Sequence, residues 1–462
     1  MTVNRHPSTG SAVTVKQWRY TATGGETTLT GTDGFSQSLA YTVGAEEVYV
    51  NGVLLERAVD YTATTGTSVV LTNALVAGDI ATVMSANAFN VANAIPNSTV
   101  TAKGDLIVGN GAASVTNLGV GADGSTLVAN SSASTGVSWA GAKTQNVILN
   151  SSFDIWQRGT SIATASAYVA DRWYGYRTGG NVTFSQQTGS NQFRYACRVQ
   201  RTAGDTATNT MYMYQSLEIA DATPYAGQTV TLSFYARAGA NYSATSNGLT
   251  VKLVTGTGTT ETNRMLVLYT GDTTLISSGV TLTTSLVRYQ VTATMGASVT
   301  QFCIGFETNP TGAAGAADYF DVTGVQIDLG SVALPYRRYS STLQGELNAC
   351  ERYYERSTPG VAYGKYGQAY YNNSSSQVVC NVEFKTTKRV IPTSIDYANL
   401  RIQQNGIGAL GTISAVSINI ESTTKLADLT VTIGSGATNT LNPIELMNDN
   451  NTAGYLGFSA EL

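Results

Sequence analysis

Apolar residues along this chain recur mostly at every second position, in short runs closed off by Gly, Asn, Asp and Ser. That is the period of half-buried β-strands, not of amphipathic helices. Near the start, Glu46-Glu47-Val48-Tyr49-Val50 leads into Asn51-Gly52 and leaves through Val53-Leu54-Leu55-Glu56. Asn-Gly between two alternating runs predicts a hairpin, because a type I′ turn needs positive φ at both central residues. A second pair, Ser68-Val69-Val70-Leu71 and Ile80-Ala81-Thr82-Val83-Met84, is expected around the bridge Ala77-Gly78-Asp79. Between residue 146 and about 338, strand signals crowd together at 195–199, 229–235, 249–253, 288–294, 302–306 and 319–327. Strands at such intervals, with turn residues between them, predict a two-sheet sandwich.

One segment breaks the period. Leu343, Leu347, Cys350 and Tyr354 follow at spacings of four, three and four, and Ser341 with Gln344 reads as a capping box ahead of them. A short helix is expected there, weakened by Gly345, its stripe lying against the sandwich or against symmetry mates. From Gly360 the β pattern returns, through Ile413-Ser414-Ala415-Val416-Ser417-Ile418-Asn419-Ile420 to Tyr455-Leu456-Gly457-Phe458. The expected class is all-β and multi-domain, divided as a small N-terminal β module (1–90), a thin Gly/Ala/Ser-rich shaft (91–144), a β-sandwich (145–340), a connecting helix (341–357) and a C-terminal β domain (358–462).

Composition agrees and narrows the chemistry. Thr, Val and Tyr are plentiful, and only 12% of the 462 residues are charged, against about a quarter in an ordinary domain. Twenty-six Lys plus Arg against 30 Asp plus Glu leave a net charge of −4. With no basic cluster, nucleic acid is not expected as a partner. No apolar run approaches the ~18 residues of a spanning helix, and no basic-then-apolar leader opens the chain. Neither membrane insertion nor signal-peptide export is therefore expected, and release by cell lysis fits. The lone histidine, His6, is expected in an N-terminal arm, which removes His-dependent hydrolysis and His-rich metal sites. Cys197, Cys303, Cys350 and Cys380 lie far apart without a CxxC pair and read as small buried hydrophobes without disulfides.

The stretch from Asn90 to Gly141 holds only Lys103, Asp105 and Asp123 as charges, yet carries Leu106, Ile107, Val108, Val115, Leu118, Val120, Leu127, Val128, Val137 and Trp139. A segment too thin for its own core must have those residues covered, and other copies of the chain are the economical cover. This predicts an elongated shaft and an oligomer.

Three stretches resemble bacteriophage tail fibre proteins, particularly those of phages infecting cyanobacteria and other aquatic bacteria. The first is Ala45 to Leu55 followed by Val59-Asp60-Tyr61-Thr62. The second is Lys103-Gly104-Asp105-Leu106-Ile107-Val108-Gly109 with Val120-Gly121-Ala122-Asp123-Gly124-Ser125-Thr126-Leu127 and Gly136-Val137-Ser138-Trp139. The third is the sandwich, similar to carbohydrate-binding-module jelly rolls through Asn150-Ser151-Ser152-Phe153-Asp154-Ile155-Trp156-Gln157-Arg158-Gly159, Ala170-Asp171-Arg172-Trp173, Gly227 to Arg237 and Asp321-Val322-Thr323-Gly324-Val325-Gln326-Ile327. The resemblance implies a homotrimer on the virion tail, assembled in the host cytoplasm. The N-terminal part would join a tail or adaptor protein, distal residues would meet a host surface glycan or protein, and the chain itself would have no enzymatic activity and no cofactor. A structural capsid-bound fibre or decoration protein is the alternative, and a depolymerising tailspike a third. Asp318, Asp321 and Asp328 are the only dense acidic group of the sandwich, short of the six to eight oxygens calcium takes, so no metal is expected.

Sugar recognition stacks aromatic rings on pyranose faces while amides and charged groups meet the hydroxyls. Trp156 and Trp173, flanked by Asp154, Gln157, Arg158, Asp171 and Arg172, have the right residue types; the alternative is that they clamp the sandwich core. The second receptor-binding candidate is the run Tyr363, Tyr366, Tyr370, Tyr371, Asn372 and Asn373, built from the residue types of adaptable binding loops; otherwise it is an exposed, Tyr-rich edge strand. Met447-Asn448-Asp449-Asn450-Asn451-Thr452 reads as a polar loop, either a plain turn or a tip contact.

Overall fold

The structure is a computed structural model that describes residues 13–88, 95–121, 125–140, 145–179, 182–190, 192–405, 408–434, 437 and 442–462. His6 lies outside the described residues, as do 91–94, 122–124 and 141–144 of the expected shaft. The chain forms two compact units, Met1–Val100 and Thr101–Leu462.

In the first unit a four-stranded sheet runs in the order Val13–Thr21, Ile80–Ala88, Glu46–Val50, Val53–Leu54, and a three-stranded sheet in the order Thr28–Thr30, Ser68–Leu71, Tyr61–Thr62. Trp18, Leu29, Val48, Val69 and Val83 fill the core. The Asn51-Gly52 hairpin forms as the sequence predicts, with φ of 50° and 85°. The expected pairing of 68–71 with 80–84 does not occur, because the two strands belong to different sheets. Between them the chain crosses layers: Gly25 N donates to Leu75 O at 2.8 Å, and Gly78 N to Ala22 O at 2.9 Å.

The second unit opens with two separate hairpins, Leu106–Gly111 with Ser114–Leu118 and Thr126–Ala129 with Val137–Ala140. A two-sheet sandwich follows. One sheet runs Ser161–Thr164, Val182–Thr188, Tyr195–Arg201, Tyr319–Leu329, Thr229–Ala238, Val287–Thr294. The other runs Ser166–Tyr168, Tyr174–Arg177, Met211–Ser216, Gln301–Thr308, Gly248–Gly256, Thr273–Thr281. All neighbours are antiparallel, and alternate residues point inward. Phe184, Leu232, Phe234, Val322 and Ile327 from one sheet meet Met213, Val251, Leu253, Ile304 and Phe306 from the other. All six strand signals read from the sequence lie on these strands.

The helix spans Leu343–Glu351 and differs from its prediction. Its N-cap is Thr342, not Ser341: the Thr342 hydroxyl accepts from Gly345 N at 3.0 Å. Leu343, expected on the packed stripe, is exposed, and the buried face carries Glu346, Cys350 and Glu351. Tyr354 has already left the helix for the strand Tyr354–Ser357, because that segment pairs with the last strand, Tyr455–Ser459. With Ser394–Ala398 these make a three-stranded sheet, packed with a seven-stranded one ordered Gly408–Ala409, Leu400–Gln404, Ile444–Asn448, Lys365–Ser374, Gln377–Glu383, Leu426–Ile433, Ile413–Ile418. Cys380, Leu429, Val431, Leu446 and Phe458 form its core. All four cysteines are free and buried. No helix among the described residues is long and apolar enough to cross a membrane.

Candidate functional site

Trp156 and Trp173 lie in the sandwich core. Trp173 is fully enclosed and packs on Phe153 with ring centroids 5.0 Å apart. Its Nε1 donates to Asn150 O at 3.2 Å, and Trp156 Nε1 donates to Phe153 O at 2.7 Å. Neither ring has an open face to offer a sugar. The corner that holds them is tied from within, since the buried Asn150 amide donates to Ile155 O at 2.8 Å and Asp171 O at 3.1 Å. Gln157, Arg158 and Arg172 of the two motifs clamp the C-terminal domain instead, while Asp154 pairs with Arg338 and Asp171 accepts from Gln157. Gln157 Nε2 donates to Tyr354 O at 2.6 Å, Arg158 lies 3.5 Å over the Tyr354 ring, and Arg172 lies 3.6 Å over the Tyr353 ring.

The tyrosine run is not an edge. Lys365–Ser374 is the middle strand of seven, paired on one side with Gln377–Glu383 and on the other with Ile444–Asn448. Register shifts between Lys365 and Gly367 and between Tyr371 and Ser374 break the simple alternation. The shift before Gly367 brings Tyr366 inward, while Ala369 and Tyr371 pack against the core and Tyr370 and Asn372 face outward by ordinary alternation. The Tyr366 hydroxyl donates to Asn448, and burial pushes that phenol well above its ordinary range. Tyr363 stands apart, exposed at φ 59°, with the Arg401 guanidinium 5.0 Å from its ring centre. The Asn373 side chain lies outside the described residues.

The larger aromatic surface is one that the sequence reading passed over: the outer face of the second sandwich sheet. Met211 and Met213 point into the core, so Tyr212 and Tyr214 point out. On the neighbouring strand Gly175 faces inward beneath Phe184, so Tyr174 and Tyr176 point out and stand opposite Tyr214 and Tyr212. The Tyr176 and Tyr212 rings are 5.7 Å apart, and those of Tyr212 and Tyr214 are 6.4 Å apart. Across the next pairing, Tyr212 is opposite Glu307 and Tyr214 opposite Gly305. The Tyr214 hydroxyl donates to Glu307, and Lys252 Nζ lies 3.5 Å from the same carboxylate. Burial and that carboxylate push the Tyr214 phenol far up. One end of the face is closed by Tyr269, which packs on Tyr214, Val254 and Cys303, and burial pushes the Cys303 thiol up to about 12. Tyr176 and Tyr212 remain half-buried, flat apolar surface beside a carboxylate, an ammonium and the Thr250 hydroxyl. The signal was present as Met211-Tyr212-Met213-Tyr214 and Tyr174-Gly175-Tyr176, two alternations short enough to be overlooked.

The three acidic residues of the dense group, Asp318, Asp321 and Asp328, are each held by arginine. Asp318 accepts from Arg201 Nη1 at 2.8 Å, Asp321 from Arg198 Nε at 2.8 Å and Arg237 Nε at 2.7 Å, and Asp328 pairs with Arg337 Nη1 at 2.8 Å. Their charge is balanced by side chains, and among the described residues no group of His, Cys, Asp and Glu is placed to hold a metal ion.

No protein-family model and no curated relative matches the chain. Among solved structures it is similar to the enzymatically active domain of tailspike protein 4 of bacteriophage CBA120, at 11% identity over 40% of this chain and a TM-score of 0.26. The match spans only 21% of the length of that tailspike domain. It is also similar to a CBM4 structure, at 18% identity over 39% of this chain and 98% of that one, TM-score 0.26. A third neighbour is the CBM22-1 xylan-binding domain of Paenibacillus barcinonensis, at 15% identity over 37% of this chain and 94% of that one, TM-score 0.23. At these identities and scores the likeness assigns neither ligand nor role to this chain.

Proposed function

We propose that this chain is a phage tail fibre, a homotrimer that attaches the virion to a host surface glycan without catalysis. The observation that carries the reading is the tyrosine face of the sandwich. Two partly exposed rings beside Glu307, Lys252 and Thr250 combine the flat apolar surface and the polar groups that a pyranose needs. The face carries one carboxylate on its strands, where glycoside hydrolysis uses a pair about 5–10 Å apart, which favours binding over cleavage.

The two hairpins of the shaft support the trimer. Each is a lone two-stranded sheet, marginal in water by itself, and Ile107, Val115 and Leu127 on them are 42%, 45% and 40% exposed. Neighbouring copies would cover these residues, and three chains would raise weak glycan contacts to useful avidity. The N-terminal unit would join the tail or an adaptor protein, and the particle would leave the host by lysis.

The test is binding of the purified chain to host cells and to a glycan array, with its mass measured by light scattering. A mass three times 48.5 kDa and glycan binding that falls about tenfold in Tyr212→Ala, as expected for loss of one stacking ring, are the expected results. Binding to capsid alone would favour the decoration protein, release of reducing sugar the tailspike, and a monomer would sink the fibre reading.

A further inference from the structure

The C-terminal domain holds a second groove, separate from the tyrosine face and independent of its reading. It has a volume of about 460 Å³ and lies between Asn399, Arg401, Leu410, Ile413 and Asp449, with Tyr397 on its wall. That volume is within the roughly 300–1,000 Å³ of clefts that hold small ligands. Its framework is rigid: Asp449 N donates to Asn399 O at 2.7 Å, and Asn448 N donates to Gly364 O at 2.8 Å. Three chain segments distant in sequence are thereby fixed around Arg401.

Arg401 is held more loosely than the best-paired arginines. Arg198 grips Asp321 with two nitrogens at 2.8 and 3.0 Å, and Arg352 grips Glu218 at 3.1 and 3.0 Å. The Arg401 guanidinium donates no hydrogen bond among the described residues. Its Nε is enclosed without an acceptor, and its one charged neighbour, Asp449 Oδ1, stands 3.6 Å from Nη1, beyond hydrogen-bond reach. The Asp449 side chain is 59% exposed, so water screens that pair. A guanidinium held over the Tyr363 ring at the edge of a groove, with its donors unused, is the arrangement that receives an anion.

We infer that this groove binds the carboxylate of an acidic sugar, such as a uronic or ulosonic acid residue in a surface polysaccharide. A planar monoanion matches the terminal fork of Arg401, and Leu410 and Ile413 offer apolar surface to the sugar ring. A phosphate or sulfate ester would bring the same charge-assisted bonds but more negative charge beside Asp449, which disfavours it.

The experiment is calorimetric titration of the full chain with oligogalacturonate, oligoalginate and sialyllactose, each beside its carboxyl-reduced form, and with inorganic phosphate and sulfate. At least one acidic oligosaccharide is expected to bind about tenfold or more tighter than its reduced form, as a charge-assisted contact would give. Arg401→Gln should lose that margin with only a small drop in melting temperature, since the side chain gives up a water-screened ion pair and a ring contact but no hydrogen bond, whereas Tyr212→Ala should keep it. Arg401→Lys retains the charge without the fork and should also lose affinity, which keeps the test decisive if the glutamine variant folds poorly. The inference is overturned if no acidic oligosaccharide binds, if the reduced forms bind equally, if Arg401→Gln and Arg401→Lys bind like the parent chain, or if only phosphate or sulfate binds.

Discussion

Gly305 sits opposite Tyr214 in the second sandwich sheet, and a Cβ built there would lie 2.5 Å from the Tyr214 ring. The ring lies flat across its neighbour strand because that strand has no side chain at this place. Flatness is what brings the hydroxyl onto Glu307 and leaves Tyr212 beside it. Gly305→Ala is therefore expected to lower the unfolding free energy by about 1–3 kcal/mol, the usual cost of overpacking, and to weaken glycan binding. Chemical denaturation and the same glycan assay check both effects, and an alanine variant with parental stability would show that the ring has room to move. None of this was readable from Gly305 alone, which in the run Phe302-Cys303-Ile304-Gly305-Phe306 is one more small residue at an outward position.

At the scale of elements, the helix Leu343–Glu351 shows how far a periodic pattern carries. Its existence and position followed from apolar spacing, but its buried face did not, because two of the three residues it buries are glutamates. Glu346 is drawn inward by backbone donors: Asn150 N at 2.6 Å and Ser340 N at 2.9 Å. Glu351 lies near Lys385 and accepts from the Thr386 hydroxyl at 3.2 Å. Burial raises both carboxyls above their ordinary 4.5, and Glu355 adds to the rise at Glu351. A carboxyl whose folded pKa exceeds its unfolded one contributes stability that is complete below the unfolded value and is lost as pH rises through the folded value. The melting temperature is therefore expected to climb as pH is lowered through the raised folded values of these two carboxyls towards their ordinary 4.5. Glu351→Gln should raise it at pH 8 by about 2 °C, of order 1 kcal/mol for a unit of this size, and flatten the climb. A variant that melts like the parent at both pH values would remove Glu351 from the account.

For the molecule as a whole, the join between sandwich and C-terminal domain rests on charges that neither domain could bury alone. The Glu461 carboxylate is almost fully enclosed, 3.3 Å from Arg158 and hydrogen-bonded to Arg172, while Arg389 Nη2 donates to Glu461 O at 2.7 Å. Tyr168 Oη donates to Leu462 O at 3.1 Å. Replacing Glu461 by Ala leaves Arg172 buried and unpaired, and a loss of about 3–5 kcal/mol is expected, measurable by denaturant unfolding of the full chain. A loss below about 1 kcal/mol would mean that water reaches the pair and that the packing around Tyr353 and Tyr354 holds the domains together.

The sequence by itself determined the things that depend on near neighbours. The period of two made the chain all-β, Asn51-Gly52 set its hairpin, and the strand signals between residues 195 and 327 lie on strands of the sandwich. The tertiary structure alone decided which aromatic residues meet solvent. Trp156 and Trp173 have the composition of a sugar site yet sit in the core, because the loop carrying them turns inward around Asn150. One irregularity, between Lys365 and Gly367, turned Tyr366 inward on a strand whose alternation leaves Tyr370 outside. Tyr176, Tyr212 and Glu307 share a face only because their strands lie side by side in register. The groove around Arg401 likewise exists only where the segments 397–401 and 409–413 meet Asp449. Facing and convergence follow from strand order and register, which are set by long-range packing and leave no mark in the local pattern.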